Sequence, residues 1–404
     1  MKLLVEVSQG IGNCVQGTPL CHALWLLGHD VDLFVNQPQK AVKLTAEMWR
    51  NWPVVGRVWT HRSQFKVRDY DFAVVAYGRK LMQLLFPPGL SLCLRPSAVL
   101  NQSESDANVG LARALGYTGD TPTCFAGASG RDFKLPAGAI TVHAGCAWFA
   151  PEKRWPHWKQ VCESLRAEGR HVVIVGTQSD RSPERWEDAY ANYFDLSLID
   201  LNALLRQASA HFGNDSGVGH LAAAAGLPGV IVFGPTSPVK NHPNSRVITA
   251  LAAPAHEGEE HDLVATKPVP IGRLPFEEVW AAIARVLKDP RRDPPRNLPE
   301  RAQDSAAARE QVLRAIKVEE EADSRYLKLE GDYARLCATN ALSIGNGVAR
   351  DEMIRRAGAM QLELFEAKLA EGGKKARHKA RAHARDAMRG GYLFRGLLSY
   401  LRAL

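Results

Sequence analysis

The run His211–Pro238, HFGNDSGVGHLAAAAGLPGVIVFGPTSP, constrains this chain more than any other. It reads as a strand, a tight polar turn, a helix, a second strand and a Gly-Pro turn. That order is the repeating unit of an α/β layer on a parallel sheet. The turn holds Asn214, Asp215, Ser216, Gly217 and Gly219 within six residues, and His220 follows at once. Gly217 and Gly219 let backbone N–H groups approach a ligand closely. Ser216 or Asp215 is placed to cap the helix that starts there. Free N–H donors and a partial positive charge make such a helix start a seat for a diphosphate. Asp215 and His220 add groups suited to sugar hydroxyls. The segment predicts a nucleotide-sugar site.

A second segment, Ile140–Pro156 (ITVHAGCAWFAPEKRWP), is a β-branched strand, a Gly turn and a basic, aromatic loop. Lys153 and Arg154 precede Trp155-Pro156, where a new helix is expected to open. Two cations ahead of a helix start oppose its dipole, so they are expected to face an anion.

These segments resemble glycosyltransferase family nine, the bacterial ADP-heptose:lipopolysaccharide heptosyltransferases. That family carries a strand ending in a Gly turn, then K-R/H-W-P, then D-T/S-G-x-x-H-L-x-A-A-x-G-x-P, then F-G-P-T-x-P. Here stand Lys153-Arg154-Trp155-Pro156, Asp215-Ser216-Gly217 with His220-Leu221, and Phe233-Gly234-Pro235-Thr236 with Pro238. The resemblance covers roughly residues 1–290. It implies a GT-B fold, with two Rossmann-like domains facing across a cleft that excludes water from a labile donor. It also implies inverting displacement at an anomeric carbon, with a nucleoside diphosphate as leaving group and no cofactor. The donor is expected to be ADP-linked and heptose-like, and the acceptor a saccharide, lipid-linked.

In this reading Lys153 neutralises charge developing on the diphosphate. Ser216, Gly217 and the helix start hold its oxygens, and Asp215 binds sugar hydroxyls. Gly145, Cys146, Arg154 and Thr236 are further donor contacts. His220 orients the turn or touches the donor, with a purely structural role as the alternative. No metal is expected, because no D-x-D carboxylate pair sits at a strand end near these motifs.

The N-terminus fits the same pattern with one departure. Lys2–Val7 is a short strand, Gly10-Ile11-Gly12-Asn13 follows, and Thr18-Pro19 opens a helix. In the family this loop reads G-D and supplies an aspartate regarded as the catalytic base. Here Asn13 holds that position, and Gly12 and Asn13 are expected beside the acceptor. An amide cannot take a proton from a hydroxyl, whereas a carboxylate can. Glu6, Glu104 and Asp106 are the nearby carboxylates, and the sequence does not choose among them. A non-catalytic saccharide- or nucleotide-binding scaffold is the alternative that Asn13 raises. A dinucleotide fingerprint is the weaker rival for this loop, since Gly17 falls two places late for G-x-G-x-x-G.

A chain of 404 residues has room for two or three domains. The first, an acceptor domain, is expected over residues 1–128. Its strands are placed at Leu3–Val7, Val31–Val35 and Phe72–Ala76, with helices at Thr18–Leu27, Gln39–Arg50 and Ala107–Leu115. Gly-rich residues near 126–138 read as a linker. The second, a nucleotide-sugar domain, is expected over 139–290. Its strands are placed at Thr141–His143, Val172–Val175, His211–Gly213 and Val230–Phe233. Helices are placed near Trp158–Ala167, Asn202–Gln207, Val218–Ala225 and Phe276–Leu287. The proline-rich Asp289–Pro299 ends this core, and 300–404 is read as a helical extension.

The first hydrophobic run breaks at Glu6 and reads as a strand rather than a signal peptide. No run of about 18 uncharged apolar residues predicts a spanning helix. Seven scattered cysteines without C-x-x-C pairs suggest reduced thiols, a cytoplasmic setting and no zinc site. The net charge of +8 lies wholly in residues 374–404, which carry nine cations and the lone anion Asp386. A cationic stretch followed by a Leu-rich helical face suits an anionic membrane surface, giving a peripheral association. Docking on a partner subunit, as in an oligomer, and nucleic-acid binding through phosphates are the alternatives. The last would allow a nucleic-acid acceptor.

Overall fold

A computed structural model describes residues 1–8, 10–36, 45–76, 91–94, 99, 101–147, 150–263 and 265–302. The tail 374–404, nearly all of the extension 300–404, and residues 39–44 of the expected helix Gln39–Arg50 lie outside them.

The chain builds two sheets. The first contains β1 (Lys2–Ser8), β2 (Asp30–Asn36), β3 (Val55–Trp59), β4 (Phe72–Val75) and β5 (Ser91–Cys93), in the order β3-β2-β1-β4-β5. β1 runs parallel to both β2 and β4, with Leu3 opposite Val31 on one side and Phe72 on the other. The second sheet contains β6 (Ile140–His143), β7 (Val172–Gly176), β8 (Ala191–Phe194), β9 (Ala210–Asn214), β10 (Gly229–Phe233) and β11 (Ile248–Ala252). Its order is β11-β10-β9-β6-β7-β8, and each neighbouring pair is parallel. Central strands of a parallel sheet are covered on both faces. Accordingly every residue of β6, β9 and β10 is buried.

Helices connect the strands. They are α1 (Gly10–Gln16), α2 (Thr18–Leu26), α3 (Glu104–Ala114), α4 (Trp158–Ala167), α5 (Leu198–Gln207), α6 (Gly217–Ala224) and α7 (Phe276–Lys288). α7 shows how the pattern works. Val279, Ala282 and Ile283 recur at helical spacing and pack into a core with Val161 and Leu165 of α4. Glu277 and Glu278 lie in its first turn and Arg285 and Lys288 in its last, matching the dipole at both ends. Among the described residues, no helix is long and apolar enough to cross a membrane.

Two expectations change. The Gly10–Asn13 loop is the first turn of a helix: Gly10, at φ +86°, turns the chain from β1 directly into α1. Beyond α7 the proline-rich stretch ends the helix, as read, but then runs back over the first half. Asp120 N–H donates to Asn297 O at 3.0 Å, and Ala302 N–H to Leu26 O at 2.8 Å.

Both sheets have a switch point, where the strand order reverses. In the first it lies between β1 and β4, and in the second between β6 and β9. Ligands of open parallel sheets bind outside the carboxyl ends of the strands at such points. α1 leaves one of these ends, and the Asp215–Gly217 turn leaves the other.

Candidate donor and acceptor site

Asn214, the last residue of β9, organises the second switch point. Its Oδ1 accepts from Trp158 Nε1 at 2.7 Å and Trp155 N–H at 3.2 Å. Its Nδ2 donates to Ala144 O at 2.8 Å and Gly145 O at 3.0 Å. All four hydrogen-bonding positions of a fully buried amide are filled. One side chain therefore fixes the strand end after β6 and the aromatic part of the basic loop to β9. Trp155 is buried under this loop, and the helix runs from Trp158 to Ala167 as placed, so Trp155-Pro156 precedes it rather than opening it.

Asp215 follows. Its Oδ2 accepts from Thr236 Oγ1 at 2.7 Å and pairs with Lys153 Nζ at 2.6 Å. The anion that Lys153 faces in this structure is thus the chain's own carboxylate. Arg154 turns elsewhere, donating to Ser179 O at 2.9 Å and Asp180 O at 3.2 Å. Ser216 occupies the N-cap position of α6 without capping it. Its Oγ lies 2.9 Å from His143 Nδ1 instead.

His143 and Asp180 are site residues that the sequence reading missed. Asp180 takes Cys146 N–H at 3.2 Å on Oδ1, and Thr177 N–H and Oγ1–H, each at 2.8 Å, on Oδ2. His143 Nε2 is 3.5 Å from the same Oδ2. Burial works against the Asp180 charge, but the His143 and Thr177 interactions outweigh it and hold the carboxyl at about 2. A Cβ on Gly145 would strike that carboxylate, so only glycine fits the turn. Cys146 donates its thiol to Ala150 O at 3.0 Å, and burial pushes the thiol up, away from thiolate chemistry. The one local signal for Asp180 was a capping-box pair, Thr177 and Asp180, after a buried strand.

The two switch points meet through glycines. A Cβ on Gly217 would lie 2.8 Å from Ile11 Cβ, and one on Gly12 would lie 2.8 Å from His220 Cδ2. α1 and α6 therefore pack backbone to side chain across the cleft. Asn13 stands partly exposed on α1. His220 is buried on α6 with Nδ1 unpartnered, and desolvation lowers it to about 4. It is neutral at physiological pH and packs against Gly12. The arrangement gathers Gly12, Gly145, Cys146, Lys153, Asp215, Ser216, Gly217, His220 and Thr236. Asn13 lies on the facing helix, and Arg154 is engaged one loop away.

Residues 128–270 match the model of glycosyltransferase family 9 (heptosyltransferase). Over these residues the chain is similar to that family. Lipooligosaccharide heptosyltransferase 2 of Haemophilus influenzae is 32% identical over 117 residues, covering 26% of this chain and 34% of that protein. Lipopolysaccharide heptosyltransferase 2 of Escherichia coli is 32% identical over 106 residues, covering 23% and 30%. The chain spans about a third of the length of these curated relatives. The family 9 glycosyl transferase of Veillonella parvula superposes with a TM-score of 0.57 at 16% identity, covering 71% of this chain and 97% of that one. The E. coli ADP-heptose lps heptosyltransferase II gives 0.51 at 20% identity, covering 71% and 99%. The fold is GT-B, as the family 9 motifs implied.

Proposed function

We propose that the chain is an inverting glycosyltransferase. It moves a heptose-like sugar from a nucleoside diphosphate sugar, ADP-linked, to a saccharide acceptor of the lipopolysaccharide type, without a metal ion. The observation that carries this reading is the Lys153–Asp215–Thr236 cluster beside Ser216 and the start of α6, at the switch point of the second sheet. The relatives' names, both heptosyltransferases, supply the sugar class.

The geometry supports these roles. Lys153 leaves Asp215 and meets the diphosphate, neutralising charge as the anomeric C–O bond breaks. Asp215, relieved of the lysine, takes sugar hydroxyls while Thr236 holds its other lone pair. Ser216 and the N–H groups of α6 receive diphosphate oxygens. The acceptor oxygen attacks the opposite face of the anomeric carbon, from the side of α1. The reaction takes place on the cytoplasmic side, and the basic tail 374–404 holds the enzyme peripherally at an anionic membrane. Residues 1–128 form the acceptor domain and 139–290 the donor domain.

Thermal unfolding with ADP, GDP, UDP, CDP and dTDP tests the donor half. A nucleotide at about 100 times its dissociation constant stabilises the fold by about 2.7 kcal/mol. A shift with ADP that disappears in Lys153→Ala supports the reading. No shift with any of the five leaves the scaffold alternative raised by Asn13.

A further inference from the structure

Ser216 stands at the N-cap of α6 yet leaves the helix uncapped by its side chain. A capping serine turns its oxygen onto an N–H of the first turn, and so occupies a donor that an anion would use. Here the hydroxyl is held the other way, 2.9 Å from His143 Nδ1. His143, the last residue of β6, is buried, while Ser216 is partly exposed. Glycines on both neighbouring strands make room for the imidazole. A Cβ on Gly176 of β7 would lie 3.4 Å from its Cδ2, and one on Gly213 of β9 would lie 3.3 Å from its Cβ. The far ring nitrogen, Nε2, is 3.5 Å from Asp180 Oδ2. Side chains from the ends of β7, β6 and β9 thus form one line, from carboxylate to imidazole to hydroxyl.

The Asp180 charge sets where the protons sit. Burial raises this carboxyl, but His143 and Thr177 outweigh burial and hold it at about 2, so it is ionised at neutral pH. A carboxylate facing Nε2 favours the tautomer that carries its proton there. Nδ1 is then an acceptor, and the hydrogen it accepts is that of the Ser216 hydroxyl. In this state Ser216 shows a ligand only lone pairs. A diphosphate also shows only lone pairs, so the two repel. Turning the hydroxyl outward would leave Nδ1 buried without a donor, which is costly. A proton on Nδ1 removes the conflict: Nδ1–H donates to Ser216 Oγ, and Ser216 O–H is free to donate to a phosphate oxygen.

We propose that His143 is a positioning residue for the donor diphosphate, taking up a proton from solvent as the diphosphate binds and so turning Ser216 from acceptor into donor. The inference rests on the donor-site reading above. The proton lands on Nδ1, and no covalent bond to the ligand forms or breaks. The imidazolium is balanced by Asp180 on one side and by the diphosphate on the other. The same proton returns to solvent when the nucleotide leaves.

The other titratable and charged groups around the ring do not take its place. His211, beside it on β9, is lowered to about 3 by burial and stays neutral. Arg154 reaches the ring only through Asp180, at 3.4 Å. Cys146 meets Asp180 through its backbone N–H, and burial keeps its thiol protonated. Lys153 is paired with Asp215, the chain neighbour of Ser216.

Calorimetric titration of ADP, in two buffers of different ionisation enthalpy and between about pH 6.5 and about pH 8.5, counts the protons bound with the nucleotide. Titration of the ADP phosphates contributes to every protein alike and cancels between them. Wild type should take up more than His143→Asn, by about half a proton or more per ADP at the maximum. In that variant the Asn Nδ2 stands where a protonated Nδ1 would, and donates to Ser216 with no proton taken up. Wild-type affinity should also fall with pH by up to about tenfold more than that of His143→Asn over this range. Ser216→Ala should lose the same uptake and weaken ADP about tenfold. A histidine that only packs would change affinity and leave the proton count alone. Equal uptake by wild type and His143→Asn overturns the proposal. So does a wild-type uptake retained by Ser216→Ala, which decides the matter if His143→Asn fails to fold. A wild-type protein that binds no ADP overturns the donor-site reading itself, and this inference with it.

Discussion

Lys153 and Asp215 meet at 2.6 Å with 14% and 7% of their side chains exposed. At an effective dielectric of about 20, that separation corresponds to about 6 kcal/mol of gross attraction, much of which offsets the desolvation of two charges. Lys153→Ala strands the Asp215 carboxylate with the Thr236 hydroxyl as its remaining hydrogen-bond donor. Breaking a buried pair from one side costs about 3–5 kcal/mol, and the retained hydroxyl bond puts the loss here at the low end, about 3 kcal/mol. Asp215→Asn keeps an acceptor for Thr236 and removes the charge. The double variant Lys153→Ala/Asp215→Asn therefore contains no stranded charge and should be more stable than Lys153→Ala alone. Denaturant unfolding of the four proteins at neutral pH measures this. Losses that simply add would refute the claim that these two charges hold each other. In the proposed transfer, Lys153→Ala should cost about 100-fold, since in that reading it removes the counter-charge to the leaving group.

Gly217→Ala should destabilise the fold by about 1–3 kcal/mol and abolish the ADP-induced thermal shift, because its Cβ would press on Ile11 and force α1 away from α6. A wild-type melting temperature in that variant would show that the two helices do not pack as described. Acid sensitivity should trace in part to His220. Its folded pKa of about 4 lies below the unfolded value of 6.5, so its contribution is complete above pH 6.5 and is lost as pH falls toward 4. His220→Gln should flatten the melting temperature over that range, and an unchanged pH slope would count against a buried neutral imidazole.

The interior of both sheets was legible in the sequence, and the margins were not. β1, β2, β4, β6, β7 and β10 are built on apolar or β-branched runs, β9 sits just ahead of the polar turn, and the expected bounds of all seven fall within a residue or two of the observed ones. The four unforeseen strands, β3, β5, β8 and β11, are the four sheet edges. Edge strands face water on one side, so their residues are mixed, as the half-exposed β3 and β8 show. α1 was hidden because Gly10 and Gly12 read as a turn, whereas one serves a left-handed entry and the other a close approach by His220. At the site, the local motifs placed Lys153, Asp215 and Thr236. His143 and Asp180 escaped because their partners are distant in sequence: Ser216 is 73 residues from His143, and Cys146 is 34 from Asp180. No local period records such a contact.

The polypeptide passes between its two sheets twice, once near Ala126 and once at 289–297. These strands of backbone are tied to each other through Arg206 on α5. Its guanidinium donates to Ala126 O at 3.1 Å, and its own carbonyl accepts from Arg292 at 3.0 Å. Two adjacent covalent crossings joined at one residue define an axis rather than a pivot point. A rotation of one sheet against the other about that line would leave both crossings intact, whereas other rotations would stretch one crossing or tear Arg206 from the other. A rotation about that line would change the separation of α1 and α6, which face each other through Ile11 and Gly217.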